Sequence, residues 1–166
     1  MIHRDRFPLR PLAALAVTLA LAAPASRTRA AADPTGAPAP GVHYYRAESV
    51  AKSFAEGAVL FAERGLNYMV HTSRRVSPGM AEVHTQDTDL IHVLEGSATF
   101  VTGGTVVAPK HTAADEIRGS SIDGGETRLL APGDVIIVPA GTPHWFKDVR
   151  GPVLYYTVKV RPGVKS

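Results

Sequence analysis

The sequence predicts an all-β domain, folded as a closed barrel or a two-sheet roll, with one short helix in front. Beyond Gly41 short runs rich in β-branched and aromatic residues follow one another: "AVLFAE", "LNYMVHTSRRV", "AEVHT", "DLIHVLEG", "SATFVTGG", "TRLLAPG", "DVIIVPAG", "HWFKDV" and "VLYYTVKV". Gly, Pro or Asp punctuates almost every junction, which is the pattern of strands and turns. About nine short strands in one domain must hide their sheet edges, and barrels and rolls do so. The one helical candidate is "AESVAKSFAEG", residues 47–57, which ends at a glycine. The stretch 108–125, "APKHTAADEIRGSSIDGG", is the longest irregular piece and is expected to cover one mouth of the barrel, and Gly103-Gly104 and Gly124-Gly125 read as hairpin turns.

The chain has 166 residues, enough for one domain with its own core. Residues 1–25 read as a secretory signal peptide, with a basic start, the apolar run "PLAALAVTLALAA" and an A-x-A pattern ending at Ala25; a second small-residue site ends at Ala30. The apolar run is too short to span a bilayer comfortably, so the expectation is an exported protein, periplasmic or secreted, with no stable membrane anchor. Residues 26–43 read as a flexible leader and residues 44–166 as a single domain. Removing the first 25 residues takes away three arginines and one aspartate, leaving acidic and basic residues nearly balanced. A neutral domain has no electrostatic case for nucleic acid as a partner. The sequence contains no cysteine, so burial must stabilise the fold and any metal must sit on His, Asp, Glu or backbone oxygen.

Two stretches carry the chemistry. In "GMAEVHTQDTDLIHVLEG" Glu82 and His84 are an i, i+2 pair, so they share one face of a strand, and Asp89 opens the next strand with Ile91 and Val93 on its own face. In "APGDVIIVPAGTPHWFKD" a short apolar strand, Val135–Val138, ends in a Pro-Ala-Gly turn that presents His144. The spacing from Gly133 through Pro139 and Gly141 to His144 is G-x5-P-x-G-x2-H.

Together these resemble the two signature motifs of the cupin superfamily. The second, G-x5-P-x-G-x2-H-x3-N, is matched from Gly133 to His144 and ends in Asp148 instead of Asn. The first, G-x5-H-x-H-x3or4-E-x6-G, maps onto Gly79 to Gly96 with departures. Glu82 falls near the place of the first His, Asp89 takes the place of the Glu, and only two residues separate Gly79 from Glu82. The resemblance spans roughly residues 58–160. It implies a cupin-type β-barrel, or double-stranded β-helix of jelly-roll kind, in which Glu82, His84, Asp89 and His144 converge on one divalent transition metal (Fe, Mn, Ni or Zn). Burying two carboxylates without a cation is costly, which is a further reason to expect the ion.

Glu82 has two readings, a fourth ligand or an uncoordinated general base beside the metal. Phe146 shares the face of His144 and is expected to wall the pocket, and His71 to line its mouth. Arg74 and Arg75 point to opposite faces, so at most one is inward; Arg75 is the candidate for an anionic substrate. His92, Trp145 and Lys147 are expected outside the cavity. The resemblance implies a metal-dependent protein acting on a small polar or anionic molecule, and oxygenase, isomerase, lyase and decarboxylase chemistry all occur in the family. The rival is a non-catalytic module that binds or senses a small ligand. Alternation in "VLYYTVKV" suggests a core face of Leu154, Tyr156, Val158 and Val160, with Val153, Tyr155, Thr157 and Lys159 free for a homodimer partner.

Overall fold

The computed structural model describes residues 41–162. The expected signal peptide, nearly all of the leader and the last four residues lie outside them. Helix α1 (Ala47–Glu56) is followed by eleven strands: β1 (Val59–Ala62), β2 (Tyr68–Arg75), β3 (Ala81–His84), β4 (Thr88–Thr102), β5 (Thr105–Val107), β6 (Lys110–Ala113), β7 (Glu116–Gly119), β8 (Ser121–Asp123), β9 (Glu126–Leu130), β10 (Val135–Val138) and β11 (His144–Val160). All pairing is antiparallel.

Two long strands organise the fold. The segments 89–96 and 97–104, separated in the sequence by Gly96, run on as β4, and the two pieces either side of Gly151-Pro152 run on as β11. The two strands pair along their whole lengths, from Thr88 with Val160 to Thr102 with His144, with register shifts between Phe146 and Asp148 and between Arg150 and Tyr155. Their first and second halves belong to different layers. One layer runs β1, β2, the end of β11, the start of β4, β10; the other runs β6, β7, β3, the start of β11, the end of β4, β9.

Gly96 makes the bend. Its φ is +73°, and a Cβ there would overlap the carbonyl oxygen of Pro152 on the crossing strand. The bend also changes which residues face inward, from Asp89, Ile91 and Val93 before it to Ala98 and Phe100 after it. Side-chain parity is preserved only along an uninterrupted pleat.

The main core lies between the layers: Ile91, Val93, Ala98, Phe100, Leu130, Val138, Phe146, Val153 and Tyr155. Phe146 packs edge-on against Phe100 at 4.7 Å between ring centres and stacks on Tyr155 at 5.0 Å. A second cluster of Ala81, Val101 and Ile122 sits outside the second layer, with Trp145 and Val106 against it and the indole N–H of Trp145 donating to Gly79 O at 2.7 Å. Helix α1 covers the outer side of the first layer through Phe54, which meets Tyr156 edge-on at 5.0 Å.

Three expectations are corrected. The stretch 108–125, expected as an irregular loop over one mouth, forms β6, β7 and β8, and β7 pairs with β3. Its inward residues Glu116 and Arg118 are polar because they face a polar cavity, so the apolar alternation that marks a strand is missing. Gly103-Gly104 and Gly124-Gly125, expected as hairpin turns, join strands that do not pair with each other: β4 to β5 and β8 to β9. They are corners at which the chain leaves the main sheet for a separate two-stranded sheet, β5 with β8, and returns from it. In "VLYYTVKV" the faces are reversed. Val153, Tyr155 and Thr157 are buried, while Leu154, Tyr156 and Val158 are half-buried on the outside. The outer face is apolar because α1 packs on it, and the inner face ends in Thr157 and Lys159 because the interior is polar there. The face expected to receive a partner is therefore interior.

Candidate metal centre

Strand register assembles the site. Glu82 of β3 stands directly across from His144 of β11, and on its other side Glu82 pairs with Arg118 of β7, as His84 pairs with Glu116. Asp89 of β4 stands across from Lys159 of β11, and Thr157 across from His71 of β2. These side chains line a cavity of about 260 Å³ together with Ser73, Ile91, Phe146 and Tyr155.

The turn of the second motif is fastened to the strand of the first. The amide of Gly141 donates to His84 O at 2.8 Å, and that of Ala140 to Thr88 Oγ1 at 3.3 Å. His144, 2% exposed, has its Nδ1 3.1 Å from the carbonyl oxygen of Thr142. A proton on Nδ1 is the arrangement that contact favours, and it leaves the Nε2 lone pair facing the cavity. The two imidazole rings lie 5.2 Å apart. Glu82, His84 and His144 each offer a ligand atom, and these atoms all lie within 4.8 Å of one another.

Asp89 is buried at the edge of this group. Its Oδ2 is 3.5 Å from His84 Nε2 and 3.9 Å from His144 Nε2. Both of its oxygens, however, accept hydrogen bonds from the Lys159 ammonium, at 2.8 and 3.0 Å. Glu82 Oε2 lies 3.0 Å from the Arg118 guanidinium, which also binds Glu116. Each of these two carboxylates thus has a protein cation beside it. The expectation that their charges demand a metal ion is not met: Lys159 and Arg118 supply the compensation.

The fit to a metal rests on the donors instead. Two imidazoles and a carboxylate oxygen are the set that divalent transition metals take. Donors bound to one ion at ~2.1 Å stand roughly 3.0–3.4 Å from one another. His144 Nε2 and Glu82 Oε1, at 3.8 Å, are too far apart to hydrogen-bond and need only a small closure to share an ion. Burial lowers the pKa of His84 below its ordinary value, and the Lys159 cation adds to this; both favour the neutral ring, whose lone pair can bind a metal. His71 is lowered by burial and by Lys159 as well. The carboxyl of Glu116 is held below its usual range first by its hydrogen bond from Arg118.

His71 and Phe146 line the cavity, with His71 Nε2 3.0 Å from the sulfur of Met69. Arg75 does not line it. Its guanidinium lies 4.6 Å over the Phe146 ring and its Nε donates to Tyr155 Oη at 3.4 Å, so it supports the aromatic floor. His92 points outward, between Val135 and Tyr156 in the ladder. Sequence reasoning missed Lys159, Glu116 and Arg118. For Lys159 the signal was present, since alternation from Val153 puts it on the face of Tyr155 and Thr157. For the β7 pair there was none without the pairing partner.

The cupin family model matches residues 62–161, more than half of the chain. The chain belongs to the cupin family. Solved cupins of similar fold include a cupin domain from Schizosaccharomyces pombe, 15% identical with a TM-score of 0.46, covering 63% of this chain and 59% of that one. A cupin-2 domain from Rhodospirillum rubrum is 17% identical with a TM-score of 0.44, covering 64% and 60%. A cupin 2 conserved barrel domain protein from Rhodopseudomonas palustris is 19% identical with a TM-score of 0.42, covering 65% and 61%. This cupin therefore spans less than two thirds of the length of each of these three. No curated protein matches it.

Proposed function

We propose that this cupin binds one divalent transition metal through Glu82, His84 and His144 and uses it to hold a small polar or anionic molecule in the cavity. The observation that carries the reading is the convergence of two imidazoles and one carboxylate from β3 and β11 in one pocket. Such an ion, when bound, polarises an oxygen of the molecule that meets it. The chain's own groups do the rest. Thr142 O fixes the tautomer of His144, Arg118 orients Glu82, and Phe146 and Tyr155 exclude water from one side.

Glu82 is the ligating carboxylate in this reading, because Lys159 already holds both oxygens of Asp89. Elemental analysis of the purified chain should give one equivalent of metal, and Glu82→Gln should lower it. Metal retained in Glu82→Gln together with lost turnover would instead make Glu82 the general base.

A second reading has one observation in its favour. Because Arg118 and Lys159 compensate the carboxylates, the cavity is electrostatically stable without an ion and suits a metal-free binding module. A chain purified without metal that takes none up supports that reading. We also propose that the protein works outside the cytoplasm, on the strength of the basic start and short apolar run of residues 1–25. Cell fractionation tests this, and a chain found whole in the cytoplasm contradicts it.

A further inference from the structure

We propose that Lys159 withholds Asp89 from the metal and thereby makes the cavity a receptor for a small monocarboxylate, which completes the ion's coordination; this rests on the metal reading above. Three carboxylates (Glu82, Asp89, Glu116) and two permanent cations (Arg118, Lys159) line the cavity. Its histidines must be neutral to act as donors. One divalent ion then turns a net charge of minus one into plus one, within walls that include Ile91, Phe146 and Tyr155. An uncompensated charge is expensive in such surroundings, and a single monovalent anion removes it.

The geometry indicates where the anion is held. Lys159 has three N–H donors, and Asp89 takes two of them. The third has no partner among the described residues. If Lys159 were apolar, Asp89, with its Oδ2 3.5 Å from His84 Nε2, would be free to move onto the ion and fill the position meant for the anion. Size and polarity set the chemical class. A volume of about 260 Å³ lies below the roughly 300–1,000 Å³ of drug-sized sites, so the ligand has few atoms. The apolar side chains of Ile91 and Phe146 favour a carboxylate with a short carbon chain over sulfate or phosphate, which carry more charge and no apolar part.

The test is a titration of the full chain with cobalt(II), followed by its visible absorption, with and without propionate, and with phosphate as the comparison. In the natural chain propionate should tighten cobalt binding about tenfold or more and shift the bands, while phosphate should do neither. In Lys159→Met cobalt should bind more tightly without any anion, and the propionate effect should fall below about twofold. Should Lys159→Met not fold, Lys159→Met/Asp89→Asn removes the pair together; it should lose the propionate effect without the gain in cobalt affinity. Cobalt binding with no propionate effect in the natural chain overturns this proposal and leaves the metal reading standing, as does an unchanged propionate effect in the variants. A natural chain that takes up no cobalt overturns both.

Discussion

On one wall of the cavity Glu82 faces His144 across the ladder, and on the other Asp89 faces Lys159. Asp89 is buried and Glu82 half-buried, both belong to the first motif, and both lie near His144 Nε2, at 3.9 and 3.8 Å. They differ in the cation beside them. Glu82 shares Arg118 with Glu116 and keeps an oxygen toward the imidazoles, whereas Asp89 has both oxygens committed to one ammonium. A carboxylate's role here follows from its cross-strand neighbour more than from its place in a motif. One wall offers lone pairs to a cation, and the other is already a closed ion pair.

The largest effect separating the walls should come from breaking the closed pair. Asp89→Asn leaves the Lys159 ammonium buried without its partner and should cost about 3 kcal/mol in urea unfolding, most of it recovered in Asp89→Asn/Lys159→Met. A loss under about 1 kcal/mol would mean that the pair is solvated. The open wall should respond in affinity instead. His144→Ala should weaken divalent metal binding more than about 100-fold, beyond the effect of removing an outer partner. Calorimetric titration checks this, and equal affinity in the variant breaks the distinction between the walls.

The bend that gives each wall its register is the next target. Gly96→Ala forces a Cβ into the Pro152 carbonyl at a positive φ and should destabilise the fold by about 2 kcal/mol, with both walls disturbed together. The smallest effect is in pH. His84 and His71 have folded pKa values below the ordinary 6.5, so below that value the unfolded chain binds protons that the folded chain does not. Stability of the metal-free chain should therefore rise as pH increases toward 6.5 and level off above it. His71→Gln should make the slope shallower, and an unchanged slope would show that His71 contributes nothing.

Much of the fold was legible in the sequence. The turn from Pro139 to His144 is a local device, so its spacing was enough to predict both the strand end and the inward histidine. The i, i+2 pairing of Glu82 with His84 was equally local. What was lost depended on partners far along the chain. Alternation alone puts Lys159 on an outer face because Leu154, Tyr156 and Val158 look like core, and only the packing of Phe54 upon Tyr156 explains apolar residues outside a barrel. Glu116 and Arg118 read as loop residues because a strand that faces a polar cavity shows no apolar alternation. Cavities invert the usual pattern, and so the cavity lining was the part least visible.

The most direct measurement is anomalous diffraction from crystals of the chain loaded with a divalent transition metal, recorded at that metal's absorption edge. The account predicts one peak per chain, about 2.1 Å from a Glu82 oxygen and from His84 and His144 nitrogens, with Lys159 still on Asp89. A peak bound by Asp89 with Glu82 left on Arg118, or no peak in the cavity at all, would contradict it.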